Sequence, residues 1–130
     1  MSAVFQYNLK VQAAHLDALQ HVNNVHYLQW VQDIAAAHWQ ELTKNSKVAL
    51  GVWVVRSHAI TFKNQAQLGD VLTLKTYVKQ SRGALSERIV EIYKAHDQTL
   101  VVQCSTQWCY LDSKTLKTTK IPQNVMAILE

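Results

Sequence analysis

The chain has 130 residues, and 48% of them are apolar, which excludes a disordered polypeptide and suits a single domain, residues 1–130, with a buried core. Its net charge of +4 comes from 13 basic and 9 acidic residues; the basic residues are scattered, so a nucleic-acid partner is not expected. Charged residues make up only 17%, which leaves surface for a subunit interface and favours a homo-oligomer.

The first predicted element is a half-buried strand at residues 5–12. Apolar and polar residues alternate in FQYNLKVQ, as they do where one face of a strand is buried. The N-terminal sequence has no basic segment followed by an apolar one, and no apolar run approaches the length of a membrane span. We therefore expect a cytoplasmic protein without a signal peptide and without a membrane partner.

A long helix is predicted from Val25 to about Lys44, where the apolar period changes from two to between three and four. The residues of its apolar face are Leu28, Val31, Ala35, His38 and Leu42, widened by Tyr27, Ile34, Ala36 and Trp39. A stripe of this width is typical of a helix that is covered on more than one side.

Four strand-like segments follow the helix, and a short helical tail ends the chain. The strand segments are residues 49–62, 71–79, 84–95 and 99–112, and the tail is residues 123–130. The turns between them contain Gly69-Asp70, Ser81-Arg82-Gly83 and His96-Asp97-Gln98. Consecutive strands with short connections predict an antiparallel sheet, so the predicted class is α+β, with five strands around one long helix.

The two cysteines, Cys104 and Cys109, lie in the last strand at an odd separation. In a regular strand their side chains would point to opposite faces, so they are poorly placed to bond to each other. We expect free thiols, as in proteins of a reducing compartment.

Polar residues are crowded just before the long helix, in the segment HLDALQHVNNVHYLQW at residues 15–30. Asn is among the best N-cap residues, so a polar loop that caps the helix would explain Asn23 and Asn24. His15, His21 and His26 are six and five residues apart, which is not the spacing of a helical metal site. We expect neither a metal nor a cofactor.

The same segment contains the motif D-x-x-x-H-V-N-N-x-x-Y-L, at residues 17–28, which resembles the signature of the hotdog-fold thioesterases. It is similar to that of the 4-hydroxybenzoyl-CoA thioesterase-like acyl-CoA hydrolases and of the plant acyl-ACP thioesterases. Gly69-Asp70 and the segment from Tyr110 to Pro122 extend the resemblance over nearly the whole chain. The resemblance implies a hotdog fold, a dimer or dimer of dimers, and an acyl-CoA substrate that is hydrolysed.

On this resemblance Asp17 is the catalytic carboxylate, which attacks the thioester carbonyl or activates a water molecule. Asn24 stands where the family uses a backbone N–H to polarise the thioester carbonyl, and a helix N-terminus suits this task. His21 matches a histidine that assists in the plant enzymes; the alternative is an ordinary loop histidine. Leu19 stands where those enzymes have Asn, which favours the simpler aspartate route.

Contacts with substrate or CoA are expected from Asn23, Lys79, Arg82 and Arg88. The three basic residues surround the turn between the third and fourth strands and could meet the phosphates of CoA. An exposed, charged hairpin without a ligand is the alternative interpretation. The alternatives to acyl-CoA hydrolysis are hydrolysis of acyl-ACP, a dehydratase reaction, and a non-catalytic domain that binds acyl thioesters.

Overall fold

The computed structural model describes residues 2–130, in which the chain forms five β-strands and two α-helices. In chain order these are β1 (Phe5–Lys10), α1 (Asn24–Thr43), β2 (Val52–Phe62), β3 (Val71–Arg82), β4 (Leu85–Lys94), β5 (Leu100–Leu111) and α2 (Gln123–Leu129). One turn of 3-10 helix, Ala13–His15, lies between β1 and α1. Neither helix of this part of the chain is long and apolar enough to cross a bilayer.

The five strands form one antiparallel sheet in the order β1-β3-β4-β5-β2. Short turns join β3, β4 and β5, which are neighbours in the sheet, whereas β1 and β2 lie at its two edges. The predicted α+β architecture, a five-stranded antiparallel sheet around a long helix, is confirmed. The long helix also has its predicted bounds to within one residue at each end.

Two glycines and a β-bulge shape the sheet. Gly83, in the two-residue turn between β3 and β4, has a φ of +64°, and Gly69, just before β3, has a φ of +86°. Glycine adopts this left-handed backbone at little cost because it has no Cβ. The register of β3 against β4 shifts between Val78 and Gln80. Such bulges bend a strand and increase its twist, which helps the sheet to curve around α1.

The core lies between α1 and the concave side of the sheet. Its side chains on α1 are Tyr27, Trp30, Val31, Ile34, Ala35 and His38. The facing side chains on β3, β4 and β5 include Leu72, Leu74, Val90, Ile92, Val102 and Cys104. Burial of one such large apolar side chain contributes roughly 1.5–3 kcal/mol. This packing holds the N-terminus of α1 at one end of the sheet.

The predicted apolar stripe of α1 is confirmed in most of its members and wrong along one edge. The predicted members that are buried are Tyr27, Val31, Ile34, Ala35 and His38. Leu28 and Leu42 were expected in the stripe and are only half-buried, and Ala36 is exposed. Trp30, which was not assigned to the stripe, is buried. Its ring packs edge-to-face against that of Tyr27, with centroids 5.5 Å apart, and these two large rings turn their side of the helix towards the sheet.

The two cysteines are free, as expected. Cys104 lies in the core between α1 and the sheet, whereas the Cys109 sulfur is 3.7 Å from the Thr118 hydroxyl in the segment that follows β5. Their side chains point to opposite faces because the two residues are five positions, an odd number, apart along one strand.

Candidate active site

The loop that carries Asp17 is a small hairpin between the 3-10 turn and α1. Leu16 and Val22 pair as an isolated antiparallel bridge, and the Asp17 N–H donates to the carbonyl oxygen of His21 (2.8 Å). The Gln20 N–H closes the tip by donating to the Asp17 carbonyl oxygen (3.1 Å), and Gln20 has a φ of +65°. Aspartate at the first position of such a turn is favoured because its side chain can bond to nearby backbone.

The Asp17 carboxylate is half-buried and uses one of its two oxygens to hold the turn. Oδ1 accepts the backbone N–H of Leu19 (2.9 Å) and of His21 (3.2 Å). Oδ2 has no hydrogen-bond donor among residues 2–130. One oxygen is therefore fixed by the fold, and the other remains available to a substrate or a water molecule.

The N-terminus of α1 follows this hairpin directly. The N-cap residue is Asn23, whose side-chain oxygen accepts the Val25 N–H (3.2 Å), as the sequence predicts. The backbone N–H groups of residues 22–26 have acceptors within the described chain, except that of Asn24. A free N–H at the positive end of a helix is suited to stabilise a developing negative charge.

Two further contacts, which the sequence analysis did not identify, fix the start of α1. The Asn23 N–H donates to the carbonyl oxygen of His15 (2.9 Å), and the buried Tyr27 hydroxyl accepts the N–H of Ala66 (3.2 Å). The loop before β3 is thereby tied to the first turn of the helix. The spacing from Asp17 to Tyr27 in the motif gave no signal for Ala66, because the backbone of Ala66, and not its side chain, makes the contact.

His21 lies in the Asp17 hairpin and contacts the acid through its backbone. Its N–H and its carbonyl oxygen both bond to Asp17, whereas its imidazole has no hydrogen bond among the described residues. A role of the imidazole in the reaction therefore stays a prediction.

An aromatic cluster of His15, His26 and Trp30 packs beside the helix N-terminus. The His15 ring lies 5.1 Å from that of His26 and 5.0 Å from that of Trp30, centroid to centroid. Burial, and to a smaller extent His26, lowers the pKa of His15. Its Nδ1 accepts the Gln12 N–H (2.9 Å). The described residues contain no group of three or more potential metal-ligand side chains.

Lys79 and Arg82 are exposed, as expected, but they lie far from Asp17 within the subunit. β3 begins at Val71, next to the loops that hold the Asp17 hairpin, and Arg82 is its last residue. At roughly 3.3 Å per residue, its twelve residues place Arg82 about 36 Å along the strand. The structure thus places Asp17 and His21 in one hairpin and Asn23-Asn24 at the helix start that follows it, whereas the two basic residues lie elsewhere.

The expected position of Arg88 on the exposed rim of the turn is wrong. Arg88 is 5% exposed and shares the core-facing side of β4 with Val90 and Ile92. Its Nη1 donates to His38 Nδ1 (2.7 Å) and to the Thr76 hydroxyl oxygen (3.1 Å). The physical reason is strand alternation, since residues two apart in a strand point to the same face.

A family model for the N-terminal domain of acyl-ACP thioesterases matches residues 2–129 of the chain. The chain belongs to this family. Membership in the acyl-ACP thioesterase family confirms the resemblance to hotdog thioesterases that the motif at residues 17–28 indicated.

Two proteins from Escherichia coli that are named as thioesterases are similar to this chain, one in sequence and one in structure. FadM, a long-chain acyl-CoA thioesterase from Escherichia coli (strain K12), is 32% identical over 83 residues, which are 60% of this chain and 61% of FadM. The chain thus aligns with less than two thirds of the length of that relative. The crystal structure of YbaW, a probable thioesterase from Escherichia coli, superposes with a TM-score of 0.83 at 26% identity over 96% of each chain.

A third similarity shows the fold alone. A Staphylococcus aureus protein in complex with CoA has a TM-score of 0.85 at 15% identity, over 98% of this chain and 82% of that one.

Proposed function

We propose that this member of the acyl-ACP thioesterase family hydrolyses acyl-CoA thioesters to a free carboxylic acid and CoA. One observation carries the proposal: a carboxylate whose Oδ2 has no donor among residues 2–130, that of Asp17, lies in the hairpin that leads into a helix whose Asn24 N–H has no acceptor among them. A nucleophile or base next to an oxyanion donor is what acyl transfer needs. The naming of FadM as an acyl-CoA thioesterase supports the choice of substrate.

The reaction follows from these two groups. The thioester carbonyl oxygen accepts the Asn24 N–H, which stabilises the negative charge that develops on this oxygen. Asp17 either attacks the carbonyl carbon or removes a proton from the water molecule that attacks it. The C–S bond then breaks, and the CoA thiolate leaves with the electron pair and takes up a proton. In the direct route, water afterwards hydrolyses the acyl–Asp17 anhydride.

We also propose that the active assembly is a homo-oligomer, either a dimer or a dimer of dimers, joined through the edge strand β2. This strand has eleven residues and an unpaired edge, and it exposes Val52, Val54 and Phe62 (40%, 43% and 37%). A long apolar edge strand invites pairing with another strand. Light scattering that gives only the 14.8 kDa monomer at micromolar concentration would contradict this part of the proposal.

Antiparallel pairing of two β2 edges would also bring the expected CoA ligands to the right end of the sheet. Phe62 lies at the end of the sheet that carries the Asp17 hairpin. Val52 lies at the opposite end, which carries the turn between β3 and β4. A two-fold axis between the strands would therefore place the partner's Arg82 at the same end as Asp17. We propose that Lys79 and Arg82 meet the phosphates of CoA in the neighbouring subunit, and that Asn23, exposed beside Asn24, contacts the substrate.

Hydrolysis of acyl-ACP is the second candidate. Two observations favour it, namely the match to the acyl-ACP thioesterase family and the net charge of +4, which suits an acidic carrier protein. The test is a thiol-release assay with aryl, short-chain, medium-chain and long-chain acyl-CoA, with acyl-ACP in parallel. We expect hydrolysis of at least one acyl-CoA. If the parent protein hydrolyses no thioester faster than its Asp17→Asn variant does, the protein is not a thioesterase of this mechanism. The alternative interpretation, a non-catalytic domain that binds acyl thioesters, then holds.

A further inference from the structure

A cavity of about 290 Å³ lies between the second half of α1 and the sheet, and the residues of the Asp17 hairpin are not part of its wall. Most of this wall is apolar, with contributions from Ala35, Ala36, Trp39, Trp53, Trp108 and Leu129. Ala35 follows Asn24 by eleven residues, or about 16 Å at 1.5 Å per residue of helix. Within one subunit the cavity is therefore separate from the proposed thioester site.

Arg88 supplies the charge in this wall. Its two hydrogen bonds to described residues, to His38 and Thr76, both come from Nη1. The N–H groups on Nε and Nη2 have no acceptor among residues 2–130, and no carboxylate of this part of the chain lies within ion-pair distance. These free groups form one side of the guanidinium fork, the geometry that binds both oxygens of a carboxylate.

The neighbours of Arg88 do not neutralise it. Burial, with Arg88 beside it, lowers the pKa of His38 to about 4, so His38 is neutral at pH 7 and its Nδ1 accepts from Arg88. Burial lowers the pKa of Arg88 to about 10, which still leaves the guanidinium protonated. A buried charge without a counter-ion is costly, and an anion that entered the cavity would remove much of that cost.

Two further donors belong to the wall. The Ser86 hydroxyl oxygen accepts from the Ser81 hydroxyl (2.8 Å), so the Ser86 O–H is free to donate. The Trp108 Nε1–H is buried and has no acceptor among the described residues. The polar side chains that line the cavity are thus Ser86, Arg88 and the tryptophans, which offer donors and a cation, and no acidic side chain is among the lining residues.

We propose that this cavity binds a carboxylate attached to an apolar body, with the carboxylate on Arg88 and Ser86 and the body against the wall that Trp39 and Trp53 form together. The planar fork of arginine selects a carboxylate, and the indole walls select an apolar body. The volume is near the lower end for small-molecule sites, so a medium-chain or aryl group fits. Such a ligand is either a free organic acid or the far end of an acyl group; the second source rests on the proposed function.

Binding is tested with octanoate as the probe and 1-octanol as its neutral counterpart, by titration of tryptophan fluorescence in the parent protein. We expect octanoate to bind at least tenfold more tightly than 1-octanol. Arg88→Met should abolish this preference and keep the binding of 1-octanol, because the apolar walls remain. Lys114→Met, which removes an exposed charge in the loop after β5, should change neither affinity.

Equal affinity for the acid and the alcohol in the parent protein would overturn the proposal, and this comparison does not depend on whether Arg88→Met folds. A preference that survives in folded Arg88→Met would also overturn it. A third outcome would overturn it as well: the protein does not bind octanoate, and the structure of its oligomer shows a carboxylate of the second subunit bound to Arg88.

Kinetics with acyl-CoA separate the two sources of the ligand. CoA monothioesters of C8, C12 and C16 dicarboxylic acids are compared with the matching simple acyl-CoA. If the cavity holds the far end of the acyl group, one diacid thioester should have a KM at least tenfold lower than its counterpart, and Arg88→Met should remove this difference. If it holds a free acid, octanoate binds while the paired thioesters behave alike. Binding of octanoate without hydrolysis of any thioester would refute the proposed function and leave the carboxylate site intact.

Discussion

Asp17 bonds to the backbone of His21 twice, since the Asp17 N–H donates to the His21 carbonyl oxygen (2.8 Å) and Asp17 Oδ1 accepts the His21 N–H (3.2 Å). A side chain of almost any kind at position 21 would allow both bonds. The carboxylate at position 17, in contrast, is needed for the turn and, on the proposed mechanism, for the reaction. Substitutions that keep the turn and change the chemistry separate these two tasks.

Asp17→Asn should lower kcat by about 10²–10⁴-fold, the contribution of a general base, and by more if the carboxylate attacks directly. The amide oxygen can still accept the backbone bonds of the turn, so the thermal midpoint should stay close to that of the parent. Asp112→Asn is the matched control, because Asp112 Oδ1 accepts the N–H groups of Lys114 and Thr115 (2.8 Å each) in a similar turn. Equal kcat values in the two variants would exclude the carboxylate mechanism.

His21→Ala should lower kcat by less than about tenfold, because both backbone bonds to Asp17 persist and the imidazole makes no hydrogen bond in the described chain. The measurement is kcat on the substrate that the parent hydrolyses best, with the thermal midpoint as a check of folding. A loss as large as that of Asp17→Asn in a folded variant would show that the imidazole takes part in the reaction.

Asn24→Pro removes the proposed oxyanion donor and should leave the helix intact. Proline is favoured at the first helical position, and Asn23, with a φ of −65° and a ψ of 133°, already has the extended backbone that suits a residue before proline. We expect kcat to fall about 10²–10³-fold, as for the loss of one oxyanion-hole donor. Asn24→Ala keeps the N–H and should stay within a few-fold of the parent. Parental kcat in a folded Asn24→Pro would mean that another group stabilises the oxyanion.

The order and type of the elements could be predicted from the sequence because the evidence for them is local. Alternation marks β1 and the later strands, and the change to a helical period marks α1. The edge of the buried face of α1 could not be predicted in this way. Leu28 and Trp30 are both apolar, and no local pattern tells that Trp30, whose ring packs against that of Tyr27, is the buried one.

The site was predictable to the same extent. The hairpin and the cap lie within residues 17–25, and their bonds follow from turn and N-cap chemistry. The prediction that Arg88 lies on an exposed rim was wrong. Arg88 precedes Val90 by two residues and Ile92 by four, and this spacing indicates that all three lie on the core-facing side of β4. Its partners His38 and Thr76 come from α1 and β3, and no local pattern connects residues so distant in sequence.

Arg82→Ala should raise KM for acyl-CoA and leave kcat nearly unchanged, the pattern of binding that is lost equally in the ground and transition states. A pantetheine thioester lacks the nucleotide phosphates and should be affected much less. Lys10→Ala, which removes an exposed charge from β1, is the control and should change neither constant. An equal rise of KM for both thioesters would place the nucleotide elsewhere.

Mixing of two defective proteins tests whether the phosphate contacts come from the neighbouring subunit. Subunits with Asp17→Asn and subunits with Arg82→Ala are mixed and assayed at acyl-CoA concentrations well below KM. A hybrid dimer has one site with both Asp17 and the partner's Arg82 intact, so activity should exceed the average of the separate proteins. Activity equal to that average, when hybrids have been shown to form, would mean that Arg82 does not act across the interface.

His38 should make the stability of the fold depend on pH. The pKa of His38 is lowered by burial, and then by Arg88, from 6.5 to about 4, so between these values the unfolded chain binds a proton that the folded protein does not. The stability that comes from neutral His38 is therefore fully present above pH 6.5 and is lost as the pH falls towards 4. The difference between the two pKa values corresponds to at most about 3 kcal/mol of unfolding free energy.

The measurement is urea unfolding of the parent and of His38→Asn at pH 7 and at pH 4. Asparagine can still accept a hydrogen bond from Arg88 but does not take up a proton, so the parent should lose up to about 3 kcal/mol more than the variant over this range. His96→Asn is the control, because His96 is exposed in the turn between β4 and β5, and its substitution should leave the pH dependence of the parent unchanged. Equal losses in the parent and in His38→Asn would show that the buried imidazole is not held neutral beside Arg88.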